Sequence, residues 1–387
     1  MKGSLVFLGC LLGLQLMAQT LDRIMPEQAG IDARHLQYAD EVILQAIAGK
    51  DIPGAVLAVV SKDKMVYLKA YGDKQIYPSV VPMDVHTVFD MASVSKSVST
   101  AISVMILVER GKLRLIDRVN IYIPEFRGNI RVVDLLTHTS GLPPYAPVDS
   151  LEKRYGAPNP DGLIEYIATC ERDFEPRTVF QYSCLNYITL QRIIEIVTGQ
   201  SLKAFAKTNI FDVLGMKHTD YQPVGETLDR VAPTEKQPDG SVLRGVVHDP
   251  LARVMNGGIS GNAGVFSDAE DLAILSAALL NGGEYKGKRI LSPQGVKTMT
   301  SVPESLKQFG RSPGWDLHSD YASNTGDLFS YHAYGHTGYT GTSIVIDPVH
   351  GIAVILLANR VHPYDDGNAV RLRSLVANVV AASLGKM

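Results

Sequence analysis

Apolar residues recur every three or four positions in several stretches of this 387-residue chain, and that spacing predicts helices. The most apolar stretch starts just after residue 93 and ends near Arg110. Because apolar side chains cover most of its circumference, we expect this helix to be buried. Helical spacing also marks residues 31–48, 163–170, 186–198, 202–214 and 368–384. The middle of the chain, from about residue 92 to 278, is therefore predicted to be mainly helical.

Two pairs of runs rich in β-branched residues lie near opposite ends of the chain. Residues 55–61 and 65–71 are separated by Lys62-Asp63-Lys64, and residues 342–346 and 352–358 by a turn-forming segment. Each pair predicts a hairpin of antiparallel strands.

The simplest fold that accommodates these elements belongs to the α/β (α+β) class. It is an antiparallel β-sheet flanked by helices, with a large and mostly helical region inserted between its strands. The sheet region is expected at about residues 20–90 and 330–387, and the helical insertion at about 91–280. A catalytic groove is expected where the two parts meet, because ligand sites tend to lie at such junctions.

The first 19 residues predict an export signal. Lys2 supplies a positive charge, residues 5–17 form an uncharged apolar run, and Ala18-Gln19 offers a cleavage position. The run is shorter than the roughly 20 apolar residues of a spanning helix, and it continues past Cys10, which disfavours a lipoprotein anchor there. An uncleaved anchor or a buried helix is the alternative. We expect residues 20–387 to form one exported domain, periplasmic or secreted, without a membrane span.

Composition narrows the possible partners. A hydrophobic content of 45%, a charged content of 20% and a net charge of −3 describe an ordinary globular protein and give no reason to expect nucleic acid as a partner. Beyond the signal the chain has two cysteines, Cys170 and Cys184, which we expect to be free thiols. Neither has the spacing of a metal site, so no metal is predicted.

Three short motifs carry candidate chemistry. In Ser93-Val94-Ser95-Lys96, a serine and a lysine three residues apart share one face of a helix, so an amine can reach a hydroxyl. Tyr182 stands just before a predicted helix, where its phenol could relay protons to a serine. The third motif, His336-Thr337-Gly338, opens a terminal strand. Taken singly, each motif also fits a structural role.

Together, in this order, the motifs resemble those of the serine β-lactamase and penicillin-binding-protein superfamily, in the branch of class C β-lactamases, DD-peptidases and related esterases. Residues 130–142, 257–267 and 338–348 are also typical of that family. The resemblance implies a β-sheet flanked by helices plus an all-helical region. It implies covalent chemistry that uses side chains alone, so no cofactor is expected.

The resemblance also implies catalytic roles. Ser93 would be the nucleophile that forms an acyl-enzyme, and Lys96 and Tyr182 would share the acid and base duties. Which of the two takes the serine proton stays open. The backbone N–H groups of Ser93 and Tyr339 would form the oxyanion hole.

Substrate-binding roles follow in the same way. His336, Thr337 and Gly338 match the position that binds a substrate carboxylate, and Cys184 stands where relatives carry an asparagine. His138 and Ser140 lie in a family stretch but outside the catalytic positions, so a structural role is expected.

Two of these residues depart from the pattern of the antibiotic-degrading relatives. His336 replaces a lysine and would be mostly neutral at pH 7, and the Cys184 thiol is a weak hydrogen-bonding group. If His336 binds a carboxylate, KM for acidic substrates is expected to worsen as the pH rises through about 6 to 7. Both changes disfavour efficient β-lactamase action but leave the predicted nucleophile, base and oxyanion hole intact.

Three hypotheses follow from the sequence. The first is an exported serine hydrolase of an ester or amide, acting on a small-molecule or peptidoglycan-derived substrate. The second is a D-alanyl-D-alanine carboxypeptidase acting on peptidoglycan stem peptides. The third is a binding or regulatory protein that keeps the fold without turnover. The sequence leaves the oligomeric state open.

Overall fold

A computed structural model describes residues 20–385 of the chain, apart from His318, Asp320, Ala322 and Ser323. The predicted export signal lies outside these described residues. The α-helices are α1 (Ala33–Leu36), α2 (Tyr38–Ala48), α3 (Ile102–Glu109), α4 (Val132–Leu136), α5 (Val148–Tyr155), α6 (Pro160–Thr169), α7 (Cys184–Thr198), α8 (Leu202–Ala206), α9 (Asp212–Leu214), α10 (Gly225–Asp229), α11 (Ala269–Leu280), α12 (Pro293–Met299) and α13 (Val370–Ala382).

Shorter helical segments and fourteen strands complete the described chain. The π-helical segments are Lys96–Ala101, Lys207–Phe211 and Leu251–Met255, and the 3-10 segments are Pro26–Ala29, Val119–Ile121 and Glu304–Phe309. The strands are β1 (Asp22–Arg23), β2 (Gly54–Ser61), β3 (Lys64–Gln75), β4 (Val81–Pro82), β5 (Phe89–Asp90), β6 (Asp220–Tyr221), β7 (Val265–Ser267), β8 (Glu284–Tyr285), β9 (Lys288–Arg289), β10 (Arg311–Ser312), β11 (Trp315–Asp316), β12 (Tyr334–Thr337), β13 (Ser343–Asp347) and β14 (Ile352–Ala358).

The main sheet joins the two ends of the chain. Its strand order is β1-β3-β2-β14-β13-β12-β11-β10, with β4 paired to β3. Both predicted hairpins are confirmed, since β2 pairs antiparallel with β3, and β13 with β14. The central contact is β2 against β14, where Leu57 lies opposite Leu356. Every residue of β2 and β14 is buried, which explains their nearly unbroken apolar sequences.

Helices cover both faces of this sheet. Leu57 and Val59 of β2 contribute to a core that also holds Leu372 and Val376 of α13. Val56 and its alternate neighbours Ala58 and Val60 belong to the second and larger core, which includes α11 and the helical region. The period-two alternation of a strand thus divides one apolar run between two cores. The predicted fold class is confirmed.

The structure adds elements that the hydrophobic pattern did not predict. The second group of strands in the main sheet begins at β10, earlier than the expected residue 330, and the middle region contains a small sheet of order β5-β7-β6. The expected helix over residues 31–48 is divided into α1 and α2. Strands of two or three residues are too short to show alternation, so their sequences gave no signal. Among the described residues, no helix is both long and apolar enough to cross a membrane.

Candidate active site

Ser93 lies in a tight turn between strand β5 and the long buried helix. Ala92 has a φ of 44°, in the left-handed region that a residue with a side chain rarely adopts. The buried Asp90 holds this turn, because its Oδ1 accepts a hydrogen bond from the Ala92 amide at 2.8 Å. Its Oδ2 accepts a second one, at 2.7 Å, from the amide of His248. The turn places the partly exposed Ser93 side chain at the cleft while its neighbours are buried.

Lys96 reaches the Ser93 hydroxyl from one helical turn further on. Its Nζ lies 3.0 Å from Ser93 Oγ and 2.9 Å from the backbone oxygen of Asn262. The side chain is fully buried, and no carboxylate among the described residues forms an ion pair with it. The rings of Tyr182 and Tyr187 lie 5.0 and 5.8 Å from Nζ. Lys96 Nζ therefore contacts Ser93 Oγ with no carboxylate of the described chain paired to the amine.

Tyr182 and Cys184 complete the surroundings of the amine. Burial raises the pKa of Tyr182, and the Cys184 thiolate would raise it too, whereas the Ser93 side chain and the nearby Arg311 guanidinium lower it. The Cys184 sulfur lies 3.7 Å from Lys96 Nζ, and burial raises the pKa of the thiol. Cys184 and Cys170 are both free, as expected. The three catalytic candidates and the thiol therefore meet at one point.

The typical stretch over residues 130–142 holds the segment that carries Tyr182. The His138 oxygen accepts from the Gln181 amide at 2.9 Å, and His138 Nδ1 accepts from the Ser183 amide at 3.0 Å. The His138 ring stacks on the ring of Tyr182 with 4.4 Å between centroids. These contacts agree with the structural role expected for His138.

Ion pairing and close packing fix the same segment further upstream. Arg177 forms an ion pair with the fully buried Asp134 of α4. Gly141 has a φ of 78°, and a Cβ placed on it would overlap the backbone oxygen of Phe174. The Arg177 amide also donates to the Thr139 oxygen at 2.7 Å. The segment from Arg177 to Ser183, which we name the tyrosine segment, is thus held by an ion pair and by backbone hydrogen bonds.

His336 on β12 is buried between a cation and its own strand. Its Nε2 accepts from Arg311 Nη2 at 3.3 Å, and its Nδ1 donates to the Thr337 oxygen at 2.9 Å. Burial and the charges of Arg311 and Lys96 hold the pKa of His336 well below its ordinary value. The ring is therefore neutral near pH 7. Its part in substrate binding stays a prediction, but titration between pH 6 and 7 does not fit these surroundings.

The loop after β12 is fastened to the nucleophile turn by two threonines. Thr340 Oγ1 donates to the Asp90 oxygen at 2.7 Å, and Thr342 Oγ1 donates to the Met91 oxygen at 3.1 Å. A Cβ on Gly338 would overlap Thr342 Oγ1, so only glycine permits this approach. We name Thr340 and Thr342 the threonine clamp. It joins the loop that carries Tyr339 to the turn that carries Ser93, and the oxyanion hole stays a prediction.

Two cavities border the nucleophile, and both are lined by Ser93, Tyr182 and Tyr339. The first, the arginine cavity, has a volume of about 500 Å³ and is also lined by Thr337, Gly338, Arg360 and Arg373. Arg373 is buried, its Nη2 donates to the Gly338 oxygen at 2.6 Å, and burial lowers its pKa to about 10.

The second, the carboxylate cavity, has a volume of about 430 Å³. The thiol-bearing Cys184 lies in its wall, together with the polar residues Tyr145, Glu235, His248, Asp249 and Asp365. The predicted site residues therefore border two cavities, one lined by two arginines and Asp366 and the other lined by three carboxylates.

Several of these residues escaped the sequence analysis. Arg311 lies against the rings of Phe180 and Tyr182, at 5.5 and 5.6 Å, and forms a buried ion pair with Asp316. Asp90 and Arg373 were missed as well. None of these three belongs to a recognisable motif, so only their burial in the folded chain reveals them. Asp90 lies in the two-residue strand β5, whose sequence is too short to give a signal.

Comparison with known proteins assigns the chain to a family. A model described as Beta-lactamase matches residues 39–378. The chain belongs to the Beta-lactamase family. It is therefore a hydrolase of the serine β-lactamase and penicillin-binding-protein superfamily, as the resemblance implied.

Two curated relatives are each about one-third identical to this chain over most of its length. A "Putative D-alanyl-D-alanine carboxypeptidase" of Escherichia coli K12 is 32% identical over 371 residues, which cover 87% of this chain and 85% of the relative. An "N-acetylmuramyl-L-alanine amidase" of Bacillus subtilis 168 is 32% identical over 373 residues, covering 88% and 84%.

Solved structures share the fold at lower identity. EstCE1, a hydrolase with promiscuous acyltransferase activity, superposes with a TM-score of 0.71 at 23% identity, covering 90% of this chain and 99% of its own. The simvastatin synthase LovD of Aspergillus terreus gives a TM-score of 0.69 at 20% identity, covering 91% and 100%. These likenesses establish the Beta-lactamase fold alone.

Proposed function

We propose that this chain is an exported serine hydrolase that forms an acyl-enzyme through Ser93 and hydrolyses an amide or ester of a peptidoglycan-derived substrate. The observation that carries the proposal is the 3.0 Å contact between Lys96 Nζ and Ser93 Oγ, in a cleft that Tyr182 also lines. Serine is a weak nucleophile until an adjacent base takes its proton.

The reaction would proceed in two steps, acylation of Ser93 and hydrolysis of the acyl-enzyme. Ser93 Oγ attacks the substrate carbonyl carbon and loses its proton to the pair formed by Lys96 and Tyr182. The bond to the leaving nitrogen or oxygen then breaks, and the leaving group departs with that proton. Water attacks the resulting ester, the free acid leaves, and Ser93 regains a proton. The amides of Ser93 and Tyr339 would stabilise the oxyanion in both steps.

The test combines hydrolysis of an activated ester with the intact mass of the protein. Wild-type protein is expected to hydrolyse p-nitrophenyl acetate and to gain one acetyl group when quenched during turnover. Ser93→Ala is expected to lose both the adduct and at least about 1,000-fold in kcat/KM, as nucleophile removal does in serine hydrolases. Retention of full activity by Ser93→Ala would overturn the proposal. A folded wild-type protein inactive on every ester and amide would favour a binding role.

A D-alanyl-D-alanine carboxypeptidase is the second candidate function. The arginine cavity favours it, because Arg360 and Arg373 could bind the C-terminal carboxylate of a stem peptide beside Ser93. The name of the Escherichia coli relative also supports cleavage of a D-alanyl-D-alanine bond. Release of D-alanine from a peptide ending in D-Ala-D-Ala, with KM raised about tenfold in Arg373→Gln, would support it. Absence of D-alanine release would exclude this specificity while leaving the acyl-enzyme proposal intact.

A further inference from the structure

The carboxylate cavity holds an excess of negative charge beside the nucleophile. Glu235, Asp249 and Asp365 line it, and among the described residues no lysine or arginine does so. Asp365 is paired with Arg360 at 2.8 Å, whereas Glu235 Oε2 faces only the imidazole of His248, at 3.2 Å. The catalytic proposal uses none of these three carboxylates, so their presence in this wall needs another explanation.

Asp249 is the carboxylate of this cavity without a basic partner. Its Oδ2 accepts from the Tyr145 hydroxyl at 3.1 Å, and its Oδ1 accepts from the Ala252 amide at 2.8 Å. No basic side chain of the described residues forms an ion pair with it. The two hydrogen bonds fix the carboxylate, and each oxygen keeps a lone pair that can accept from a ligand. Because an ionised carboxylate binds an opposite charge most strongly, a cation is the ligand that suits this position.

The charge of Asp249 reaches the catalytic groups. Burial is the main cause that raises the pKa of the Cys184 thiol and of Tyr182, and the Asp249 carboxylate adds to both increases. All three residues line the same cavity of about 430 Å³, together with Ser93. A cation at Asp249 and an acyl group on Ser93 can therefore belong to one substrate molecule.

Tyrosine rings supply the apolar part of the cavity wall. Tyr145, Tyr182 and Tyr339 all line it. The hydroxyl of Tyr145 also accepts from the Leu251 amide at 2.9 Å, which holds the phenol beside the carboxylate that it binds. The methylene groups of an alkylammonium chain can pack on such rings while the charged end meets Asp249. A neutral chain would gain the packing but leave the carboxylate uncompensated.

We propose that the carboxylate cavity binds a protonated amine on the acyl part of the substrate, so that amides and esters of amine-bearing acids are preferred. The assignment rests on the proposed function of Ser93. Charge then sorts the two parts of the substrate: a carboxylate on the leaving part suits Arg360 and Arg373, and an ammonium group on the acyl part suits Asp249. The acyl part forms an ester with Ser93 Oγ, the leaving part departs with the serine proton, and water releases the amine-bearing acid.

The experiment compares two esters that differ only at the end of the acyl chain. p-Nitrophenyl ε-aminocaproate ends in an ammonium group, and p-nitrophenyl heptanoate carries a methyl group at the same place. Wild-type protein is expected to favour the amine at least about tenfold in kcat/KM at pH 7, because a hydrogen bond between charged groups contributes about that factor. Equal values for the two esters, or a preference for the heptanoate, would overturn the assignment.

Variants locate the preference in the cavity. Asp249→Asn removes the charge but keeps the size of the side chain, and it is expected to reduce the ratio of the two kcat/KM values about tenfold. Glu235→Gln should reduce the ratio less, because Glu235 already faces His248. Asp63→Asn, the same change on the exposed turn between β2 and β3, is the matched control and should leave the ratio as it is in wild type. A ratio unchanged in Asp249→Asn would contradict the assignment.

Calorimetry gives a readout that does not depend on turnover. Ser93→Ala is expected to bind ε-aminocaproamide at least about tenfold more tightly than heptanamide, and the difference should shrink as the salt concentration rises. Asp249→Asn in the same background should remove the difference. Equal binding of the two amides by Ser93→Ala would count against the subsite even if both esters were poor substrates.

The outcomes separate this inference from the proposed function. If p-nitrophenyl acetate is hydrolysed through Ser93 while the two longer esters react alike, the subsite fails and the serine hydrolase stands. If the amine is preferred but Asp249→Asn keeps the preference, the cation binds elsewhere and the assignment is wrong. If Ser93→Ala keeps ester hydrolysis, the proposed function itself fails.

Discussion

Cys184 shows how one side chain can restrict what an otherwise complete site accepts. Its sulfur occupies a place beside Lys96 where an amide would offer a strong donor and acceptor. The thiol is a weak hydrogen-bonding group, and burial raises its pKa, so it adds no charge near pH 7. The residues proposed to acylate are present, while the group at residue 184 that would bind an acylamide side chain is a thiol.

The first prediction concerns this anchor. Cys184→Asn is expected to increase the second-order rate of acylation of Ser93 by benzylpenicillin up to about tenfold, because a neutral hydrogen bond contributes about 0.5–1.5 kcal/mol. Intact mass against time measures the rate. Cys170→Asn, which replaces a thiol away from the cleft, is the control. A rate no higher than that of wild type would show that the thiol is not what limits penicillin binding.

The second prediction concerns His336 and the pH. Because burial and Arg311 depress the pKa of this base, the ring is already neutral at pH 6 and gains no charge until the pH falls further. KM for a carboxylate-bearing substrate is therefore expected to stay flat from pH 6 to 8, contrary to what an exposed histidine would give. A rise in KM across that range would show that the ring titrates there. Steady-state kinetics in buffers of constant ionic strength provide the measurement.

At the scale of elements, the site depends on two segments that are held by other parts of the chain. The tyrosine segment is fixed by residues 130–142, and the loop after β12 is fixed by the threonine clamp. These contacts explain why residues 130–142 look typical of the family although they contain no catalytic group. They shape the backbone on which Tyr182 stands.

Gly141 provides the third prediction. Gly141→Ala should move the tyrosine segment, because the new methyl group would overlap the Phe174 oxygen, and kcat on p-nitrophenyl acetate is expected to fall at least about tenfold. Gly199→Ala is the matched control, since Gly199 ends α7 with a φ of 67° and nothing within 4 Å of its Cβ position. Equal effects of the two changes on kcat would mean that positive φ alone is responsible.

Thr342 provides the fourth prediction. Thr342→Val keeps the shape of the side chain but removes the donor to the Met91 oxygen. We expect kcat to fall about tenfold while KM changes little, because a misplaced Tyr339 amide stabilises the transition state less well. A purely structural contribution would lower the melting temperature and leave kcat of the folded protein unaltered.

The sequence predicted the long elements and the reactive residues, but not the groups that hold them. The hairpins over residues 55–71 and 342–358 and the helices of the middle region follow from hydrophobic period alone. The meeting of Ser93 and Lys96 follows from their spacing on one helix. Tyr182 and His336 were assigned to the site only through the family resemblance, because the spacing of hydrophobic residues says nothing about contacts between residues so far apart in the sequence. Arg311 and Asp90 act through buried contacts that local sequence does not encode.

At the scale of the whole molecule, the cleft lies where the sheet meets the helical region. Ser93 comes from the boundary between them, Tyr182 from the helical region, and Tyr339 from the loop after β12. A ligand bonded to Ser93 therefore contacts both parts, and neither part contains a complete site.

The fifth prediction follows because both the sheet and the helical region contribute residues to the cleft. A boronic acid that bonds reversibly to Ser93 is expected to raise the melting temperature of the entire protein in a single calorimetric transition. At a ligand concentration of 100 Kd the stabilisation amounts to about 2.7 kcal/mol. Ser93→Ala should show no shift. Two transitions, with only one moved by the ligand, would show that the sheet and the helical region unfold separately.

The threonine clamp also imposes an order of events during synthesis. Its hydroxyls reach carbonyl groups that precede them by 250 and 251 residues. A ribosome that has released the first 300 residues has already made the serine and the lysine, but not the strand that positions the second oxyanion donor. Contacts of such long range form late, because the intervening chain must first be closed into a loop. The proposed oxyanion hole therefore cannot be complete until the last strands have docked.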